Sequence, residues 1–362
     1  MVYDIYQVSD REFYVNLSAH EDSLYESPFC LFGGNLIMTK PFKTIDEQYK
    51  LLCSRNLTFT KIEDAKQFLL TNNYYNVVNC YGKFFIDHGD VFIDGTNFDE
   101  LTCVHYFDKE IKNILFKYII EVEKRLKSII AYYFSEAHQN NAYPYLYANN
   151  FNGNNILKVA PLISSISNII KKYSNSPMNN SIKHYIKVHR GVPLWIISNY
   201  MSFGQIVLFY KCMKIQEQNK VAKEFSLLLN DSLGRNDIKL QVKHIISYLD
   251  NLLEIRNLVA HNNKVLGYTC KQNTLYIKEL HSQYNIMPNA PRQSIFDVFI
   301  IMRCFLDKNQ YIELHNAIHK RIKSLKKDIK TIDSNKILDS LGFTESWYNN
   351  GKIQLKNNPK SS

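Results

Sequence analysis

Glycine and proline are scarce in this chain, and long apolar runs are missing. Only 12 glycines and 9 prolines occur among 362 residues, which excludes a collagen-like or a Pro/Gly-rich disordered protein. The longest apolar stretch, at about residues 298–302, is too short to cross a bilayer. The opening residues MVYDIYQVSDREFY lack the basic and then apolar pattern of a secretory signal. We therefore expect a globular, cytoplasmic protein with no membrane partner.

Cysteine spacing and the lack of familiar enzyme motifs narrow the chemistry. The seven cysteines are scattered, with no C-x-x-C pair of the kind that zinc and redox sites use. The chain also lacks H-E-x-x-H, G-x-S-x-G and the P-loop motif. His315 and His319 are four residues apart, but no third ligand accompanies them at a suitable spacing. We expect reduced cysteines, no metal and no cofactor.

What the chain does have is positive charge. Lys and Arg number 44 against 34 acidic residues, which gives a net charge of +10. This balance favours a polyanionic partner, although a solvated basic surface explains it equally simply. The residues that we consider as contacts to a nucleic-acid backbone are Lys124, Lys127, Arg190, Arg321, Lys323 and Lys327.

Apolar periodicity predicts an all-α protein. The segment 44–56, TIDEQYKLLCSRN, has the pattern of a capped helix. In residues 108–137 apolar side chains recur every three or four positions over about eight turns. Further helices are predicted from 238 to about 262 and within 294–330, and a small β-hairpin at about 263–280. The aromatic residues near 74–87 are expected to pack in a core rather than stack on bases.

The same patterns suggest how the chain is organised. We expect a lead segment at 1–35 and a helical, aromatic-rich N-terminal region at 36–105. The main helical domain is predicted at 106–330, followed by a C-terminal tail at 331–362.

The helix from residue 238 carries the residues with the most distinctive chemistry. Its apolar spacing places Arg256 in the seam of Ile245, Leu249, Leu252 and Val259. A buried guanidinium must meet a carboxylate, line an anion-binding cleft or lie between two chains. Asn257 and His261 share a face, with Glu254 nearby.

These residue types suit RNA cleavage without a metal. The 2′-OH is the nucleophile, an imidazole transfers a proton and a guanidinium stabilises the pentacoordinate phosphate. Arg256 and His261 lie about 140° apart round an ideal helix, so a composite site is plausible. A buried salt bridge with a capping histidine fits the bare spacing equally well.

The sequence resembles the Abi-like family of abortive-infection proteins and, through it, the HEPN superfamily of ribonucleases. The resemblance rests on R-N-L-V-A-H at 256–261, preceded by KPFKTIDEQYKLLCSRNLTFT, LLTNNYYNVVNCYGKFF and VPLWIISNYMSFGQIVLFY and followed by LGFTESW, over roughly residues 38–348. It implies a HEPN-type helical domain that dimerises so that two R-x4-H motifs face each other. Arg256, Asn257 and His261 are then the catalytic residues, and Glu123 is the partner expected for Arg256. After the motif, relatives often continue with a second histidine, whereas this chain has Asn262, Asn263 and Lys264.

We therefore expect a homodimeric endoribonuclease toxin of phage defence, with His261 as acid or base and Arg256 as phosphate clamp. The alternative is an RNA-binding guard or scaffold with a weak or inactive site. Such a protein would hold a structured small RNA, which could also be the antitoxin of an active enzyme.

Overall fold

The computed structural model describes residues 42–139 and 141–353. These residues form α-helices joined by loops and short helical turns, together with one pair of short antiparallel strands. The all-α prediction is confirmed. The predicted lead segment 1–35 and the last part of the predicted tail, 354–362, lie outside the described residues. None of the helices in the described ranges has both the length and the apolarity that a bilayer crossing needs.

Two helices and an aromatic segment begin the described chain. Helix α1 (Ile45–Ser54) starts at a capping box, in which Thr44 and Glu47 satisfy each other's backbone N–H groups, and α2 (Ile62–Asn72) follows. The aromatic segment then forms a π turn at Tyr75–Asn79 and a 3-10 turn at Gly82–Phe84. Strands β1 (Ile86–His88) and β2 (Val91–Phe92) pair antiparallel.

Helix α3 (Phe98–Ala137) runs through the centre of the fold. Its 40 residues span about 60 Å. It begins ten residues before the predicted start at 108, because Asn97 and Glu100 form a capping box there. The predicted domain boundary at 105/106 falls inside this continuous helix.

The remaining helices surround α3. Helix α3 packs against α6 (Leu194–Ile197), α8 (Ile215–Leu233), α9 (Val242–Ala260) and α12 (Lys308–Asp328). Ile111, Leu115, Val122 and Leu126 of the apolar stripe predicted on α3 are fully buried. Helix α8 was not among the predicted helices. The helices are α4 (Ile156–Ser174), α5 (Ser181–His189), α6 (Leu194–Ile197), α7 (Phe203–Cys212), α8 (Ile215–Leu233), α9 (Val242–Ala260), α10 (Lys278–His281), α11 (Ile295–Met302), α12 (Lys308–Asp328), α13 (Asn335–Asp339) and α14 (Glu345–Asn349).

The hairpin predicted at about 263–280 does not form. This segment is irregular until it enters α10, and the strand pair of the fold lies at 86–92 instead. Its backbone groups pair with distant segments: the Cys270 N–H donates to the Gln293 carbonyl and the Thr274 N–H to the Arg292 carbonyl. Those partners satisfy the backbone donors that a hairpin would have used.

The predicted C-terminal tail is packed against the fold as far as it is described. Helices α13 and α14 bury Ile337, Leu338 and Trp347, and Leu341 and Phe343 between them are also buried. Residues 331–353 therefore belong to the same core.

Candidate functional site: a basic cleft beside the end of helix α9

Helix α9 presents Arg256 at the edge of its buried face. Ile245, Leu249, Leu252 and Val259 are buried as predicted, but Tyr248 and Ile255 are buried as well. The buried face is thus centred away from Arg256, which is half-buried rather than inside the seam.

The Arg256 guanidinium has few partners. Its Nε is buried without a hydrogen-bond partner, and Nη1 donates to the Asn257 side-chain oxygen at 3.4 Å. Among the residues that the structure describes, no carboxylate forms a salt bridge with Arg256. Of the three environments that the sequence left open, a buried salt bridge within one chain is therefore excluded for the described ranges.

Arg256 instead lines an open cleft of about 780 Å³ between α3, α6 and α9, which we call the basic cleft. Helix α3 contributes Glu123, Lys124 and Lys127, three of the residues predicted for the site. Glu123, the expected partner of Arg256, pairs with Lys127 at 2.8 Å. The carboxylate thus neutralises a lysine and leaves Arg256 and the exposed Lys124 as net positive charge.

Two exposed aromatic rings also line the basic cleft. Tyr132 on α3 is 64% exposed and Trp195 on α6 is 53% exposed. Neither ring was among the residues predicted for the site, and Trp195 lies in a segment, Leu194–Ile197, whose other residues are apolar. The other tryptophan, Trp347, is buried.

Asn257 and His261 lie outside the lining of the basic cleft. Both side chains are exposed, and His261 forms the C-cap of α9, where its N–H donates to the Asn257 carbonyl. No hydrogen bond joins the Asn257 and His261 side chains in the part of the chain that the structure describes. One chain therefore brings Arg256, Glu123, Lys124 and Lys127 together, but not Arg256 and His261.

The residues that follow His261 are tied to α3. Asn262 has the left-handed backbone conformation (φ 56°), and the Lys112 Nζ donates to its carbonyl at 3.2 Å and its side-chain oxygen at 2.8 Å. Lys112 pairs with the fully buried Asp108 at 3.2 Å. Asp108 also accepts the backbone N–H groups of Val265 and Leu266, each at 3.0 Å. These contacts thus anchor the segment after His261 to α3 and position the end of α9.

The Glu254 carboxylate is hydrogen-bonded to the loop that follows the R-x4-H motif. It accepts a hydrogen bond from the Tyr268 hydroxyl at 2.6 Å and from the Lys271 N–H at 3.2 Å. Burial and this carboxylate raise the pKa of Tyr268. Earlier in the same loop, the Lys264 Nζ donates to the Cys80 carbonyl. Burial lowers the pKa of Lys264. Glu254 and Lys264 therefore fix the position of the loop that follows the motif.

The other basic residues predicted to contact nucleic acid are spread over separate surfaces. Arg190 is exposed at the end of α5, and Lys323 is exposed on α12. Arg321 pairs with Glu110 at 3.0 Å, and it shares a cleft with Lys327 that also contains Asp99, Glu100 and Asp328. That cleft has mixed charge and is a poor match for a polyanion.

His315, His319 and most of the aromatic residues near 74–87 are buried or packed against the core. His315 and His319 are 5% and 8% exposed and pack against Trp347. Within the described ranges, no three His, Cys, Asp or Glu side chains are grouped as a metal site would need. Tyr81 and Phe85 are buried and Tyr74 and Phe84 pack against the core, but Tyr75 is 64% exposed.

The protein is thus a helical protein with lysines, aromatic rings and Arg256 in one cleft, and Arg256 has no salt-bridge partner among the described residues. A family model described as Abi-like protein matches residues 67–267, which is more than half of the chain. The protein therefore belongs to the Abi-like protein family, and the matched range contains α3, Trp195 and the R-x4-H motif. Neither the curated proteins nor the solved structures gave a match.

Proposed function

We propose that this protein is a cytoplasmic, metal-independent endoribonuclease of the HEPN type that acts as a toxin in abortive infection. The observation that supports the proposal most directly is the environment of Arg256. The guanidinium lines a basic cleft with an unpartnered Nε and no carboxylate partner among the described residues. A guanidinium that faces a cleft and has no carboxylate partner is suited to binding a phosphate.

The proposed reaction uses the RNA itself as nucleophile. The 2′-OH attacks the adjacent phosphorus, a new P–O bond forms, and the bond to the 5′-oxygen of the next nucleotide breaks. His261 transfers the proton that leaves the 2′-OH or the proton that the leaving oxygen receives. Arg256 stabilises the charge on the phosphate oxygens. The products carry a cyclic phosphate and a 5′-OH, and DNA is excluded because it lacks the 2′-OH.

We propose that the complete site contains two copies of the chain. His261 is exposed and outside the basic cleft, and ideal helix geometry separates it from Arg256 by about 140°. A homodimer in which the ends of two α9 helices face each other would supply His261 of a second copy to each Arg256. Asn257, which contacts Arg256, would then lie at the junction.

The first test compares RNA cleavage by the wild type with cleavage by His261→Ala and Arg256→Ala, in EDTA and after removal of copurified nucleic acid. Each variant should lose about 100- to 10,000-fold in rate. The matched controls are His88→Ala, an exposed histidine on β1, and Lys243→Ala, an exposed cation in the first turn of α9. Both controls should cleave like the wild type. Undiminished cleavage by folded His261→Ala protein would contradict the assignment.

The second test asks whether the site is composite. Arg256→Ala and His261→Ala protein are mixed in equal amounts and allowed to exchange subunits. In a composite dimer half of the molecules are mixed and each retains one intact site, so activity should return to about a quarter of the wild-type value. If both residues act within one chain, mixing restores no activity.

A second candidate function is RNA binding without cleavage. It is favoured by the separation of His261 from the lysines and aromatic rings of the basic cleft. A guard or scaffold of this kind would hold a structured small RNA, and neither wild-type nor His261→Ala protein would cleave it. Tight RNA binding that depends on Lys124 and Arg256, with no cleavage in EDTA, would select this function.

A further inference from the structure

A second cleft shares Trp195 with the basic cleft. This second cleft, of about 460 Å³, is lined by His138 just after α3, Tyr185 and His189 of α5, and Trp195 itself. Along α3 the lining residues of the two clefts run from 116 to 135, a distance of about 29 Å. We call the two clefts together the α3 groove.

The positive charge of the α3 groove lies in the basic cleft, because the described lining of the second cleft contains no Lys or Arg. Glu123 is the carboxylate among its described lining residues, and it is paired with Lys127. Lys124 and Arg256 have no salt-bridge partner among the described residues. The basic cleft therefore suits the phosphate groups of a ligand.

The aromatic residues of the groove are placed differently from those of a core. Trp195 stands between the two clefts with about half of its surface exposed, and Tyr132 and Tyr147 are among the few other exposed aromatics. Of these, Tyr132 lines the basic cleft. An exposed indole that shares a cleft with Lys124 and Arg256 provides a stacking surface for a flat ring next to phosphate contacts.

We propose that the α3 groove binds single-stranded RNA, with Trp195 stacking on an unpaired base and Lys124 and Arg256 contacting flanking phosphates. The inference rests on the proposed function in taking RNA as the ligand, and it names the class of RNA that the site accepts. In a duplex the base faces are already stacked on their neighbours, so Trp195 can engage only an unpaired base. The protein should therefore select single-stranded regions.

The test uses the full chain with His261→Ala as the parent, so that bound RNA is not cleaved. Fluorescence anisotropy with a labelled 12-nucleotide oligouridylate measures the Kd. Adding Trp195→Ala should weaken binding about 5- to 150-fold, the range expected for loss of one stacked base. Trp195→Phe, which keeps an aromatic face, should recover most of the affinity. A 12-base-pair RNA duplex should bind at least about tenfold more weakly than the single strand.

Two further measurements report on the groove directly. Trp195 is the exposed tryptophan of two in the chain, so RNA should quench its fluorescence in the parent and not in the Trp195→Phe variant. Adding Lys124→Ala should reduce the slope of log K against log salt by about 0.7, as expected for one phosphate contact to a single strand. The matched control is Tyr75→Ala, an exposed aromatic outside the groove, and it should leave the Kd within about twofold.

The outcomes separate this inference from the proposed function. If Trp195→Ala binds as tightly as the parent, or the duplex binds as tightly as the single strand, the groove inference is wrong even when wild-type protein cleaves RNA. If binding depends on Trp195 but wild-type protein cleaves nothing, the ribonuclease proposal fails and the groove inference stands. If Trp195→Ala converts a dimer to a monomer in sedimentation while RNA still binds, the groove is an interface between copies and the inference is overturned.

Discussion

The buried ion pair of Asp108 and Lys112 holds the residues that follow the R-x4-H motif. We predict that these two residues contribute cooperatively to the free energy of unfolding. Asp108 is fully buried, and Lys112 is 8% exposed. Their ion pair holds Asn262 through Lys112, and it holds Val265 and Leu266 through Asp108. Removing one charge of a buried pair leaves the other uncompensated, which costs about 3–5 kcal/mol. Asp108→Asn keeps an oxygen for the two backbone donors, so we place its cost near the lower end, at about 3 kcal/mol.

Lys112→Met also leaves one charge of the buried pair uncompensated, which costs about 3–5 kcal/mol. The remaining carboxylate would still accept hydrogen bonds from Val265, Leu266 and the Tyr81 hydroxyl, so we place this loss near the lower end of that range too. The double variant removes both charges together, and its loss should be smaller than the sum of the single losses by about 2 kcal/mol.

The assay is urea unfolding followed by far-UV circular dichroism, with equal m-values required for all variants. The matched control is the half-exposed pair Glu110 and Arg321, for which the coupling should be about 0–1 kcal/mol. Hydrogen exchange of the Val265 and Leu266 amides should accelerate in Asp108→Asn, because a neutral amide oxygen accepts their hydrogen bonds more weakly than the carboxylate does. Additive losses for Asp108 and Lys112, with unchanged exchange, would refute the reasoning.

Two further predictions concern stability. Burial lowers the pKa of His315 from 6.5 to about 4, so between pH 6.5 and 4 the unfolded chain binds a proton that the folded chain does not. Stability from this group is complete above pH 6.5 and is lost as the pH falls through that window, by about 2 kcal/mol between pH 7 and pH 5. His315→Phe should remove this part of the pH dependence of urea unfolding, and a variant with the wild-type slope would contradict the assignment. Gly342 has φ +83°, and a Cβ there would lie 2.3 Å from the Ser294 Oγ. Gly342→Ala should therefore cost more than the roughly 1–2 kcal/mol of the left-handed backbone alone. Gly351→Ala, with φ +70° and open space around its Cβ, measures that backbone cost, and equal losses for the two variants would exclude a steric contribution.

Local sequence signals located most of the helices correctly. Helix α1 begins where the Thr44 capping box predicts, and α9 matches the predicted segment within a few residues. These successes share a cause, since caps and the 3.6-residue apolar period are properties of neighbouring residues. The start of α3 was misplaced although local signals mark it, since Asn97 and Glu100 form a capping box and Phe98, Leu101 and Val104 begin the apolar stripe.

The candidate site was predictable only in part. The sequence identified Arg256, Glu123, Lys124 and Lys127 as candidates, and the fold brings all four to one cleft. It paired Glu123 with the wrong cation, because Lys127 lies one turn away on the same helix and is reached first. Trp195 was missed because its segment is apolar on nearly all sides, so the pattern does not reveal which residue faces outward.

The sequence by itself determined that this protein is helical, which faces of its long helices are apolar, and where the R-x4-H residues fall along α9. Only the tertiary structure decided that Arg256 lacks a carboxylate partner within the described residues, that Trp195 is exposed beside it, and that Lys112 holds Asn262 from 150 positions away. The physical reason is that periodicity depends on adjacent turns, whereas partners and exposure depend on which distant segments pack together. The backbone of 263–280 illustrates this, because its hydrogen bonds to 292–293 replace those of the hairpin that its local pattern predicted.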